Sequence, residues 1–133
     1  MNPPKQFELD ELRSSVPIDP NVIEGLRELG GDDEPELLAE LIEIFLRDAP
    51  QRIGEIERGL RTADIALLER ATHTLKSSSA NIGALGLSEL CRRIERSARE
   101  GSLQGLDSLV EVSSEVYGRV DGALREISRD AGA

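Results

Sequence analysis

Aliphatic side chains recur at steps of three and four along five stretches of this chain, and most of its glycines and prolines fall between them. That spacing places each apolar set on one face of a 3.6-residue helix. A first helix opens at Asp19-Pro20, an N-cap followed by proline at the first helical position, and Gly30-Gly31 end it. Val22, Ile23, Leu26 and Leu29 form its stripe. A second begins near Asp33-Glu34-Pro35 and carries Leu38, Leu41, Ile42, Phe45, Ala49, Ile53, Ile56 and Leu60. Pro50 lies inside it and predicts a kink, or a break with restart, because proline removes a backbone donor. A third is predicted from about Asp64 to Ile82, a fourth from about Leu87 to Glu100, and a fifth from about Leu103 to Ser128. No segment alternates with period two. Short connections favour antiparallel neighbours, so the expected fold is all-α: an antiparallel up-and-down four-helix bundle with an additional short N-terminal helix.

At 133 residues the chain fits one domain. Residues 18–129 are expected to form the bundle and 130–133 a tail. Residues 1–17 read as a leader or linker. They contain a short amphipathic piece, Phe7 to Leu12, that could instead dock as a helix. With three aromatic residues, Phe7, Phe45 and Tyr117, the core must be aliphatic. The single cysteine, Cys91, excludes an internal disulfide framework and a multi-thiolate zinc site, and reads as a core residue. No run approaches the roughly 20 apolar residues of a membrane span, and Met1-Asn2-Pro3-Pro4-Lys5 leads into no apolar stretch. The expectation is a reduced, cytoplasmic compartment without membrane insertion. A net charge of −10 argues against nucleic-acid partners. One histidine, His73, removes multi-histidine metal sites.

The charge is uneven. Residues 61–100 carry a net +2 while every other part is acidic, and His73 stands in the basic part. On the third helix Leu68, Ala71, Thr72 and Leu75 face inward, which turns His73 outward. Ser77 and Ala80 leave the helix bare beside it, giving a partner room to approach. Arg70 and Lys76 place positive charge one turn to either side. If the third and fourth helices pair antiparallel about Ala84, residues equidistant from it meet, and the residue opposite His73 is Glu95. A carboxylate there can accept from Nδ1–H, which fixes the tautomer and leaves the Nε2 lone pair pointing outward. Ser77, Ser78 and Ser79 read as small-residue packing, since no base motif accompanies them.

The stretch Ala71-Thr72-His73-Thr74-Leu75-Lys76-Ser77-Ser78-Ser79-Ala80-Asn81-Ile82-Gly83-Ala84 resembles the signature of histidine-containing phosphotransfer (HPt) domains, the four-helix modules of multistep phosphorelays. Ile18-Asp19-Pro20, Leu41 to Phe45 with Pro50, and Leu90-Cys91-Arg92-Arg93-Ile94-Glu95 resemble its flanks, so the likeness spans about residues 18–127. It implies that His73 is the phosphoacceptor, that Lys76 contacts the phosphoryl group, that Glu95 orients the imidazole, and that Gly83 with Ala84 makes the tight hairpin. Arg70 would lend charge support. One position departs: the family often has glycine directly after the lysine, where this chain has Ser77.

The expected function is that of a phosphoryl carrier, accepting from the aspartate of one receiver domain and giving to the aspartate of another. The sequence shows no glycine-rich ATP loop and no acidic cluster arranged for magnesium. No cofactor of its own and no kinase activity are therefore expected, with Mg2+ brought by the partner receiver. Because one bundle closes its own core, a monomer is expected. Three alternatives remain open: the phosphotransfer domain of a chemotaxis-type kinase loaded from ATP by a separate kinase domain, a receiver-binding bundle without phosphotransfer, and a carboxylate-bridged metal bundle. The last would need two Glu-x-x-His motifs on facing helices, and this chain has one histidine.

Overall fold

A computed structural model describes residues 6–131, and every regular element within them is helical. The helices are α1 (Gln6–Ser14), α2 (Pro20–Gly30), α3 (Leu37–Thr62), α4 (Ile65–Ile82), α5 (Leu85–Arg99) and α6 (Leu106–Ala131). Helices α3 to α6 each pack on two neighbours, in the cyclic order α3, α4, α5, α6, and so close a four-helix bundle around one aliphatic core. Fully buried Ile42, Ile56, Leu68, Leu75, Leu87, Leu90, Ile94, Leu106 and Leu124 come from all four. Each large aliphatic side chain withdrawn from water contributes about 1.5–3 kcal/mol.

The two short helices cover the outside. Helix α2 lies on α3 and α4, and α1 lies on α5 and α6. The second contact corrects the linker expected over residues 1–17. Leu9 of α1 is 3% exposed and belongs to the core. Arg13 donates to Glu115 at 2.6 Å, Arg119 donates to the backbone carbonyl of Arg13, and Arg93 reaches Glu8 at 3.4 Å. The amphipathic piece is therefore part of the folded unit, and the Ser14-Ser15 breaker ends it as a helix. Residues 1–5, the start of the expected leader, lie outside the described residues.

Four further differences have local causes. Helix α3 begins at Leu37 rather than near Glu34, because the tight turns after Gly31 (φ +55°) run on through Pro35. It passes Pro50 without a break, and that proline is on the exposed side of the helix. Helix α6 begins at Leu106, since Gly101 and Gly105 both take positive φ, and it ends at Ala131, past the boundary expected at 129. Leu29, placed in the stripe of α2, is 74% exposed; only Ile23 and Gly30 of that helix are buried.

Candidate functional site

Asp64 starts α4 as its N-cap, its side chain accepting from the Leu67 N–H at 3.1 Å. From there Leu68, Ala71, Thr72, Leu75, Ser79 and Ile82 turn inward, and His73 stands outward with 64% of its side chain exposed. Helix α4 ends in a Schellman turn. Gly83 sits at φ +90°, its N–H donates to the Ala80 carbonyl, and the Ala84 N–H donates to the Ser79 carbonyl. The Gly83 carbonyl in turn accepts from the Asp19 N–H at 2.9 Å, which docks the start of α2 on the turn. A Cβ on Gly83 would stand 3.1 Å from Cβ of Val22, so packing as well as φ calls for glycine. Helix α5 then starts directly at Leu85, two residues earlier than expected. Ser88 Oγ donates to the Lys76 carbonyl at 2.9 Å and ties the first turn of α5 to α4.

This hairpin brings His73, Lys76 and Glu95 together. His73 Nδ1 is 3.0 Å from Glu95 Oε2, and Lys76 Nζ donates to Glu95 Oε1 at 2.6 Å. The carboxylate is 4% exposed, whereas Lys76 is 29% exposed. Burial pushes the Glu95 carboxyl up, but the hydrogen bonds from Lys76 and His73 outweigh it and hold it below the usual range. Glu95 is thus an ionised acceptor at neutral pH. The proton between it and Nδ1 therefore belongs to the imidazole, and Nε2 carries the free lone pair.

Ser77 and Ala80 are exposed on the His73 side of α4, as expected. Gly83 and Ala84 are buried in the turn. Arg70 is exposed and forms no ion pair among the described residues, so it is not part of the cluster. The second cation on Glu95 is instead Arg99, whose Nη2 donates to Oε2 at 3.0 Å. The sequence carried a signal for it, since Arg99 follows Glu95 by four residues on one helix. Arg92 and Arg93 bind Glu89 instead, and they hold its carboxyl down to about 2. Cys91 is fully buried, and burial, reinforced by the Glu95 charge, pushes its thiol up to about 12, which excludes it as a nucleophile.

Among the described residues no group of three His, Cys, Asp or Glu side chains could hold a metal ion. Glu95, the carboxylate on His73, already accepts from Lys76, His73 and Arg99, so the site's own donors do not fit magnesium. No helix among those residues is long and apolar enough to cross a membrane.

Comparison with known proteins agrees with this geometry. The chain is 33% identical over 104 residues to the phosphorelay protein LuxU of Vibrio harveyi, covering 78% of this chain and 81% of LuxU. It is 29% identical over 109 residues to multistep phosphorelay regulator 1 of Schizosaccharomyces pombe; that match covers 82% of this chain but only 36% of the regulator. Among solved structures, histidine-containing phosphotransfer protein B of Pseudomonas aeruginosa superposes with a TM-score of 0.78 at 27% identity, over 88% of this chain and 98% of that one. A rice protein shares the fold, with a TM-score of 0.69 at 24% identity over 96% of each chain. The Hpt domain model matches residues 40–130, which include α4, the turn at Gly83 and α5. Matched over well more than half its length, and with an exposed histidine held on a buried carboxylate across that turn, this chain belongs to the Hpt domain family.

Proposed function

We propose that this protein is a phosphoryl carrier of a multistep phosphorelay and that His73 is its phosphoacceptor. The observation that carries the reading is the pairing of exposed His73 with buried, ionised Glu95. The Nε2 lone pair attacks the phosphorus of a receiver's aspartyl phosphate, the P–O bond to the aspartate breaks, and the carboxylate leaves. No proton moves in this step. Nδ1 keeps its hydrogen, the ring takes up positive charge, and Glu95 beside it stabilises that charge. The phosphoryl then passes to a second receiver by the reverse step. In this reading Lys76, paired with Glu95 and 29% exposed, supplies a cation for the phosphoryl oxygens.

The receiver brings Mg2+ and most of the catalysis; this chain supplies an aligned nucleophile. Docking centres on His73, Ser77 and Ala80, where small side chains leave α4 bare. Elsewhere on α4, Ser78 and Asn81 border a groove of about 490 Å³ lined by Leu26, Leu41 and Ile44 together with Arg47 and Asp48. The closure of α3 to α6 around one core within a single chain supports a monomer, and a cytoplasmic site of action is part of the same proposal. The test is a reconstituted relay. Label should pass from one phosphorylated receiver to a second only when this protein is added, and His73→Gln should abolish the passage. Labelling by ATP and a kinase domain, with none from any receiver, would instead assign it to a chemotaxis-type kinase.

A further inference from the structure

Glu95 is over-subscribed. One carboxylate receives Lys76 on Oε1 and both His73 and Arg99 on Oε2. With a neutral imidazole the cluster holds two cations against one anion, so it has positive charge to spare before any phosphoryl group arrives. Arg99 Nη2 and His73 Nδ1 each lie 3.0 Å from the same oxygen, so the guanidinium is at most twice that distance from the ring. The Arg99 side chain is 66% exposed, and Glu95 is its one ion-pair partner among the described residues. The guanidinium end of this pair stands in water, and the buried carboxylate would keep Lys76 and His73 if Arg99 left it. A dianionic phosphoryl on Nε2 would offer the same guanidinium a stronger, two-pronged acceptor.

We infer that Arg99 is a second phosphoryl-binding residue, held in waiting on Glu95 Oε2 until His73 is phosphorylated. The inference rests on His73 being the acceptor. On phosphorylation Arg99 exchanges the carboxylate for phosphoryl oxygens, and Oε2 is left to the Nδ1–H alone. Lys76 and Arg99, on two different helices, then flank one phosphoryl group. Arg70, the cation nearer in sequence on α4, has no such role.

The experiment uses the full chain phosphorylated with phosphoramidate. Nε2 attacks phosphorus, the P–N bond to the leaving nitrogen breaks, and that nitrogen departs as ammonia. Phosphorus NMR then follows the second ionisation of the phosphohistidine against pH. A pairing cation lowers that midpoint, so Arg99→Gln should raise it by about half a pH unit. Arg99→Lys should restore part of the shift and Arg70→Gln should leave it unmoved. The Arg99 Nε–H signal should also move when wild-type protein is phosphorylated. A wild-type midpoint retained in Arg99→Gln, with an unmoved Arg99 signal, overturns the assignment of Arg99 alone. Absence of any phosphohistidine in wild-type protein overturns the carrier reading as well.

Discussion

His73 Nδ1 lies 3.0 Å from Oε2 of Glu95, a residue 22 positions further along the chain and on the facing helix. The contact sets which ring nitrogen is free, so it governs nucleophilicity. Glu95→Ala should therefore slow phosphoryl acceptance by about 10-fold or more, the equivalent of one hydrogen bond to a charged group. Glu95→Gln keeps an acceptor for Nδ1–H and should lose less. Stopped-flow transfer from a phosphorylated receiver measures both, and equal rates in all three proteins would remove Glu95 from the mechanism.

The Glu95 carboxyl is depressed below its ordinary value of 4.5. A depressed acid stabilises the fold above its unfolded pKa, and that contribution is lost as pH falls through the folded value. The His73–Glu95–Lys76 cluster should therefore be intact throughout the neutral range and should come apart only below pH 4.5. Glu89, held down to about 2 by Arg92 and Arg93, should keep its ion pairs further into acid. Carbon NMR of the two carboxyl groups against pH checks the order: both midpoints should lie below 4.5.

Gly83 and Gly54 should respond oppositely to alanine. At Gly83, φ is +90° and a Cβ would meet Val22 and the Asp19 carbonyl, so Gly83→Ala should cost about 1–3 kcal/mol. It should also disturb the α4–α5 register that joins His73 to Glu95. Gly54 lies within α3 with open space around its Cβ position, so Gly54→Ala should stabilise by about 0.5–1 kcal/mol. Denaturant unfolding of the two variants gives the signs.

Helix α1 should contribute to stability. Leu9→Ala removes a core side chain and should cost about 2–4 kcal/mol, at the low end if α1 shifts to fill the space. Were α1 only a tether, the substitution would leave the unfolding midpoint unchanged.

Much of this was legible in the sequence because it depended on local periodicity. Counting eleven residues either side of Ala84 pairs His73 with Glu95, because two antiparallel helices joined by a tight turn rise equally along both arms. The turn itself was marked by Gly83. What escaped was set by tertiary contact. The piece at Phe7 to Leu12 is too short to declare itself, and its docking depends on Glu115, Arg93 and Arg119, far along the chain. The place of Arg99 beside His73 was only partly legible. Arg99 can be paired with Glu95 from its spacing of four on one helix, but that the same carboxylate oxygen also takes His73 appears only when α5 faces α4.

The central claim is tested most directly by locating the label. Wild-type protein and His73→Gln are incubated with a panel of phosphorylated receiver domains, and the acid-labile phosphate is mapped by mass spectrometry under alkaline conditions. The account predicts phosphate on His73 of the wild type from at least one receiver and none on His73→Gln. No transfer to wild type from any receiver, or undiminished labelling of His73→Gln, would contradict it.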